Sequence, residues 1–448
     1  MSLPLIDRDE ASARLLENLA RVKKEGGRAL LLTGRRGTGK TSLVTKTFGA
    51  GPVPFVYLFV NPLMTREGNL RAFWRENAGV LGLSGSEAAF FSFAALLRFL
   101  LERSESRPMV LFIDECQHLG TLEPDFFARW REDWEELRAK TKMLLLFAGS
   151  DGTALRSLLA NPDAQRFFET TERRELSSFH ATTVKRLLME RCPDCLSEDW
   201  LTLLFLTGGV PHYVKAMLEA DATDAAAMLR FALTPDGLLM REGERILRNE
   251  FRDDCAVYFE TLARIASGLT RRSDLLASFK ERNVESQLYK LEHHFRLIRR
   301  EEPLGGVATN RGYRFALTDP FLVFWFRFIH LNRALLEKGE EKRLLEKAVA
   351  ELPEILFGAP LRGAWKDAFR ESGEYAEVGS WWDRRSENEI DVVAVNPTKK
   401  EILFAEVRRE GSAWDEAELR ARAFRFLAQT PKYGMYAPRF ACLVPEDL

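Results

Sequence analysis

Three groups of residues have the types and spacing that chemistry needs. The first is Gly34-Arg35-Arg36-Gly37-Thr38-Gly39-Lys40-Thr41, followed by Ser42. It fits the spacing GxxxxGK[ST], whose glycines let backbone N–H groups turn inward around a phosphate. Lys40 would place a point charge on the β/γ-phosphates of ATP, and the Thr41 hydroxyl would ligate Mg2+. The second group is Asp114-Glu115, which ends the apolar run Met109 to Ile113. Carboxylates at the C-terminal edge of a strand sit where open α/β sheets bind ligands. Asp114 is expected to hold Mg2+, and Glu115 to polarise an attacking water as general base. The third group lies in EIDVVAVNPTKKEILFAEVRRE, Glu389 to Glu410. Asp391 sits in one alternating run, and Glu406-Val407-Arg408 closes the next. That is the outline of a metal-dependent nuclease site, with an arginine at the usual lysine.

These groups need elements to position them. RALLLT, Arg28 to Thr33, reads as a buried strand before the glycine-rich loop, and the residues after Lys40 read as a helix. Further strands are expected at Phe55 to Val60, Met109 to Ile113 and Met143 to Ala148. The last runs into Gly149-Ser150, where Ser150 could hydrogen-bond a γ-phosphate or the attacking water. Strands alternating with helices imply an α/β fold with a parallel sheet, that of the P-loop NTPases. The most apolar helix candidate, Ala88 to Leu101, is interrupted by Ser92 and Arg98 and is too short to span a bilayer. Cys192-Pro193-Asp194-Cys195 has no second pair to complete a zinc site and reads as a loop before a helix.

The middle of the chain has another pattern. Ala256 to Ala266 reads as a helix, and Thr270 could cap a second over Arg272 to Phe279. Val284, Leu288, Leu291 and Phe295 share one face of a third. Arg296 to Arg299 and Gly312 to Leu317 flank a glycine-containing turn. Three helices and a β-ribbon make a winged helix-turn-helix. From Arg264 to Arg314 there are eleven Lys/Arg and six Asp/Glu, a local charge of 11 − 6 = +5. Arg271, Arg272, Ser286, Gln287 and Lys290 are the candidates for DNA contact.

Composition sets the frame. At 448 residues, 46% hydrophobic and 29% charged, the chain reads as a soluble protein of several domains. Its net charge is 65 − 66 = −1, so any polyanion must be met by a local patch. Five cysteines, odd and sparse, speak against a disulfide scaffold and for a reducing cytoplasm. MSLPLIDRDEAS lacks the pattern of a signal peptide, so a cytoplasmic protein with no membrane contact is expected.

The strand with its P-loop, the DE-ended strand, the GS-ended strand and then Gly208-Gly209-Val210-Pro211-His212-Tyr213 form an ordered set. In this the chain resembles the AAA+-related ATPases, specifically the archaeal ATPase family, near the STAND and origin-recognition-like branches. The resemblance implies a helical lid after the core, in which GG-x-P-x-Y starts a helix. His212 then falls where the family places a second nucleotide sensor, an arginine in some relatives. Gly208-Gly209 also fits a helix C-cap, with Pro211 in the first turn of the next helix. The resemblance further implies an arginine finger given to a neighbouring subunit of a homo-oligomer, with Arg166, Arg173 and Arg174 as candidates. Tyr313 to Phe326 is similar to the family's marker after the wing, an aromatic strand entering Asp-Pro-Phe and an aromatic helix. Those aromatics are most simply core, and Asp319 can cap a helix whose first residue is Pro320.

Beyond a boundary expected near Lys338 to Glu340, the resemblance extends to a C-terminal restriction-endonuclease-like domain. Family members with a full site carry an acid on an early helix, an Asp on one strand and Glu-x-Lys on the next. Asp391 and Glu406 match; Arg408 replaces the lysine, and Leu361-Arg362 fall where the helix acid is expected. The expected domains are a P-loop ATPase core over 1–180, a helical lid over 181–250, a winged helix over 251–335 and an inactive nuclease-like domain over 340–448. The function expected is an AAA+-like ATPase, using ATP and Mg2+ and acting with DNA. The alternatives are a nucleotide switch that docks a protein partner, and an ATP-gated nuclease.

Overall fold

The computed structural model describes residues 8–83, 91–150, 152–251, 255–280, 283–305, 312–383, 387–411 and 414–448. The start of the apolar helix candidate (88–90), most of the expected wing turn, and Glu281, Arg282 and Arg311 of the charge count lie outside these. The chain forms two compact units, Met1–Ser178 and Phe179–Leu448. Among the described residues no helix is long and apolar enough to cross a membrane.

The first unit is a parallel sheet of five strands in the order β2-β3-β4-β1-β5. These are β1 Arg28–Thr33, β2 Phe55–Phe59, β3 Met109–Asp114, β4 Met143–Ala148 and β5 Glu172–Glu175. Every residue of β3 and β4 is buried, as strands covered on both faces require. Side chains alternate between the faces. Leu31, Leu111, Ile113, Leu145 and Phe147 pack with Phe73, Leu97, Trp130 and Phe168 on one side. Leu30, Leu32, Val110, Phe112 and Leu144 pack with Leu15, Val22, Leu43 and Phe48 on the other. The helix expected from Ala88 is instead described over Phe93–Arg103, where Ser92 is its N-cap and accepts from the Ala95 N–H at 3.1 Å. β5, Glu-Arg-Arg-Glu, is an edge strand held by its ladder to β1.

The second unit opens with helices Ala181–Arg191, Ser197–Thr207, Pro211–Glu219, Ala225–Ala232 and Leu238–Glu250. Gly208 closes the second of these in left-handed backbone, and Pro211 starts the next, the capping arrangement that the Gly-Gly pair allowed. Helices Ala256–Ala266, Arg272–Ser278 and Glu285–Tyr289 follow, the last widening into a π-turn over Lys290–His294. Val284, Leu288 and Leu291 are buried, as their spacing requires. Strands β6 Ile298–Glu301 and β7 Arg314–Leu317 form an antiparallel ribbon. The Thr270 cap is corrected. Arg271 is the N-cap residue, without a side-chain cap, while the Thr270 carbonyl accepts the Phe315 N–H at 2.7 Å. That bond ties the segment to β7, so tertiary pairing wins over a local cap. Asp319 caps the Pro320 helix through the Phe321 N–H at 3.0 Å, and Phe321, Phe324, Phe326 and Phe328 are buried.

Helix Glu341–Leu356 packs on Ser197–Thr207 and Ala225–Ala232, so the break expected near 338–340 lies inside this unit. A second sheet follows in the order β11-β10-β9-β8, with β8 Glu377–Trp382, β9 Glu389–Asn396, β10 Glu401–Val407 and β11 Ala437–Leu443. Helix Ala359–Glu371 packs on β8 and β9. Helix Glu416–Gln429 lies against β9, β10 and β11, burying Leu419 and Phe426 against Ile402 and Phe404. The β8–β9 register shifts between Gly379 and Trp381, which leaves Asp391 and Val392 opposite Ser380. Such a bulge re-aims the side chains it carries.

Candidate active site and charge clusters

The glycine-rich loop leaves β1 beside the edge strand. Gly34 has a φ of 141°, and a Cβ on it would meet the Leu176 carbonyl oxygen at 2.4 Å. Only glycine fits that corner. Lys40 is buried and folds onto the loop's own carbonyls, donating to Gly34 at 2.8 Å and Arg35 at 3.1 Å. Arg8 reaches the loop from outside it, donating to the Thr38 carbonyl at 3.3 Å and to that of Ser177 at 2.5 Å.

The two carboxylates at the end of β3 take different partners. Asp114 Oδ2 accepts the Thr41 hydroxyl at 2.6 Å and the Tyr57 hydroxyl at 3.2 Å, while Oδ1 accepts the Glu115 N–H at 3.0 Å. Burial pushes the Asp114 carboxyl above the ordinary range, and the Thr41 bond pulls against it. Burial, then the Asp114 charge, raises the Tyr57 phenol. Glu115 sits in left-handed backbone, φ 54° and ψ 42°, a conformation that costs a non-glycine residue about 1–3 kcal/mol. Its Oε1 accepts the Ser150 hydroxyl at 3.2 Å, and its Oε2 accepts the Gln117 amide. Ser150 thus meets Glu115, the expected base. Tyr57, Gln117 and Arg8 escaped the sequence reading. Tyr57 was hidden in an apolar run, and Gln117 stands just past the last assigned acid.

The site fits a nucleotide with Mg2+. A Cβ at Gly39 would meet nothing within 4 Å, so space opens over the loop. No side chain caps the helix that begins at Lys40, which leaves its positive end to the loop. Thr41 and Asp114 offer hard oxygen donors already in contact. They would hold the ion, which would screen phosphate charge.

The other candidates separate by their partners. Arg166 and Arg173 are exposed, whereas Arg174 pairs with Glu10 at 3.3 Å. Arg173 and Arg174 lie on β5 and so point to opposite faces of the sheet. His212 is exposed on the first turn of its helix, in the second unit. In the helix-and-ribbon region Arg272 pairs with Glu285, Arg264 with Glu260, Arg299 with Glu301, Arg300 with Glu292 and Arg314 with Glu389. Among the described residues Arg271, Lys280, Lys290 and Arg296 are exposed with no ion-pair partner. Ser286 bonds Gln287 at 2.9 Å.

Arginines engage both carboxylates of the hairpin. Asp391 takes Arg362 at 3.2 Å on one oxygen and the Val407 N–H at 2.9 Å on the other. Glu406 is buried between Arg408, at 2.9 Å, and Arg422. Among the described residues no three acidic, His or Cys side chains gather as a metal group. Arg422 was not foreseen. It comes from the helix Glu416–Gln429, distant in sequence from the strand it serves.

Residues 23–159 match the family described as AAA domain, and the first unit therefore carries an AAA-type ATPase domain. Residues 325–419 match a family described as archaea bacterial proteins of unknown function. Over 421 residues the chain is 23% identical to an uncharacterized protein of Methanocaldococcus jannaschii, spanning 90% of this chain and 87% of the relative. It is similar in fold to the Walker-type ATPase of Pyrococcus abyssi, with a TM-score of 0.51 and 18% identity over 72% of this chain and 96% of that one. It is also similar to the ORC2 protein of Aeropyrum pernix in its ADPNP–ADP complexes, with a TM-score of 0.50 and 16% identity over 78% and 96%.

Gly34→Ala tests the corner. A methyl against the Leu176 carbonyl is expected to lower the unfolding free energy by about 1–3 kcal/mol and to weaken binding of a fluorescent ATP analogue. Urea unfolding and an anisotropy titration read the two effects.

Proposed function

We propose that this protein is an ATP-hydrolysing AAA+-like switch that works on DNA and grips without cutting it. The observation that carries the first part is the convergence of Lys40, Thr41, Asp114, Glu115 and Ser150 at one edge of the parallel sheet. Lys40 would leave the loop carbonyls for the phosphates. Glu115 would take the proton of a water whose oxygen bonds the γ-phosphorus, and the bond from that phosphorus to the bridging oxygen would break, releasing ADP. A neighbouring copy would complete the site with Arg166 or Arg173, since Arg174 already has a partner.

Lys40→Ala is expected to weaken ATP binding at least about 10-fold, since it removes the phosphate-binding charge. Glu115→Gln should keep affinity and lower kcat by about 10²- to 10⁴-fold. Isothermal titration and a phosphate-release assay separate these effects. Wild-type binding and turnover in both variants would overturn the assignment.

The DNA reading rests on the helix-and-ribbon region as a winged helix. Arg271, Lys280, Lys290 and Arg296, which have no ion-pair partner among the described residues, would supply the field. Arg272 does not, because Glu285 compensates it. Four phosphate contacts imply a log Kd to log salt slope of about 3–4 in magnitude. Arg271→Ala with Lys290→Ala should reduce it by about 2, and Arg272→Ala should leave it unchanged. Absence of DNA affinity at low salt would favour a switch that docks a protein partner.

The four-stranded domain is read as a nuclease-like fold converted to holding. Guanidinium groups stay protonated and bind phosphate as a fork, so Arg408 cannot assist a water as a lysine can. Plasmid incubated with the protein, ATP and Mg2+ or Mn2+ should remain supercoiled. Nicking that disappears in Asp391→Ala would instead establish an ATP-gated nuclease.

A further inference from the structure

We infer that Gln117 is a positioning residue for the catalytic base, a role that rests on the ATPase reading above. Its side-chain amide donates to Glu115 Oε2, while the Ser150 hydroxyl donates to Oε1 at 3.2 Å. One neutral donor on each oxygen fixes the plane of the carboxylate. Each oxygen keeps a lone pair to receive a proton from water. A backbone in left-handed conformation aims the Glu115 side chain, and this two-point hold then stops it from turning.

The surroundings are built for the amide. The backbone turns back at once after Glu115, through the short 3₁₀ segment Cys116–His118, and the His118 N–H bonds the Glu115 carbonyl at 3.1 Å. That turn brings Gln117 back to the residue two before it. Gln117 is 7% exposed. A Cβ at Gly149 would lie 3.1 Å from Gln117 Oε1 and 2.7 Å from Leu155 Cδ1, so the glycine before Ser150 keeps room for the amide. The two ends of the hold, residues 117 and 150, are thus fitted to each other through Gly149.

Stability alone does not call for this residue. Gln117 Oε1 is buried with no hydrogen-bond partner among the described residues. A buried acceptor left unpaired is destabilising, and an apolar side chain of similar shape would avoid that. That cost is of the same order as what the bond to the Glu115 carboxylate contributes, so folding alone has little use for glutamine here. The amide is explained by what its nitrogen does for Glu115.

The test is Gln117→Met, which keeps the length of the side chain and removes the donor. The melting temperature is expected to stay nearly level, because the lost bond to Glu115 and the removed unpaired acceptor offset each other. The Kd for ATP, measured by titration, should not change. The kcat should fall about 10-fold or more, the scale of one hydrogen bond to a charged group. In a Glu115→Gln background the same substitution should cause no further loss, because it acts only through Glu115. An unchanged kcat, a loss carried by Kd, or an equal fractional loss in the Glu115→Gln background would each overturn the inference. Failure of the ATPase reading looks different: Glu115→Gln itself would then turn over ATP at the wild-type rate.

Discussion

The constraint on which the first unit depends is burial of its central strands on both faces. β3 and β4 have no exposed residue, and Leu30 to Leu32 of β1 are as deep. Polar chemistry has no place along such strands, because an unpaired polar group in that interior is costly. It can begin only where the strands end. In a parallel sheet those ends share one edge. The glycine-rich loop, the Asp-Glu pair and the Gly-Ser turn meet there because each follows a run of apolar residues. The site is thus a consequence of the core. The same continuity that makes the sheet stable places the candidate side chains at one edge, where Thr41 meets Asp114 and Ser150 meets Glu115.

The second unit obeys a different rule, in which charge is balanced locally. Asp391 and Glu406 face arginines from two helices and from the residue after β10, and most of the described arginines in the helix-and-ribbon region face glutamates. A charge in a partner's field is a weak centre for catalysis or long-range attraction. It serves better to hold elements together, and partly buried pairs do so only when both members are present. Lys366 illustrates the environment. Burial lowers its ammonium, and it donates to the Ser380 hydroxyl at 3.2 Å, which in turn donates to the Asp391 carbonyl at 2.7 Å. The bulge that carries Asp391 is held from both sides.

Much of the first unit was legible in the sequence, because apolar runs ending in glycine, acid or serine read one way. What stayed hidden has physical reasons. β5 is all charged, and an edge strand needs only backbone pairing, so its side chains carry no strand pattern. Tyr57 is one aromatic among several in β2, and only the pleat shows that its hydroxyl meets Asp114. Gln117 required knowledge of the left-handed turn at Glu115. In the second unit the helical face of Val284, Leu288 and Leu291 was plain, yet the pairing of Arg272 with Glu285 was not, since sequence does not reveal ion pairs across a turn. The expected break at 338–340 came from charge composition, while helix Glu341–Leu356 buries its other face on earlier helices.

The left-handed corner at Glu115 has a bearing on inheritance. Glycine or asparagine would occupy that backbone with less strain. Glutamate there is an uphill choice for folding, and random substitution would tend to remove it. In a lineage that stopped turning over nucleotide, the corner would relax toward those residues while the sheet beneath it stayed intact. Under the proposed role of Glu115 as base, position 115 is therefore a gauge that can be read in any descendant of this chain: a glutamate kept in this strained conformation would mark a site still turning over nucleotide.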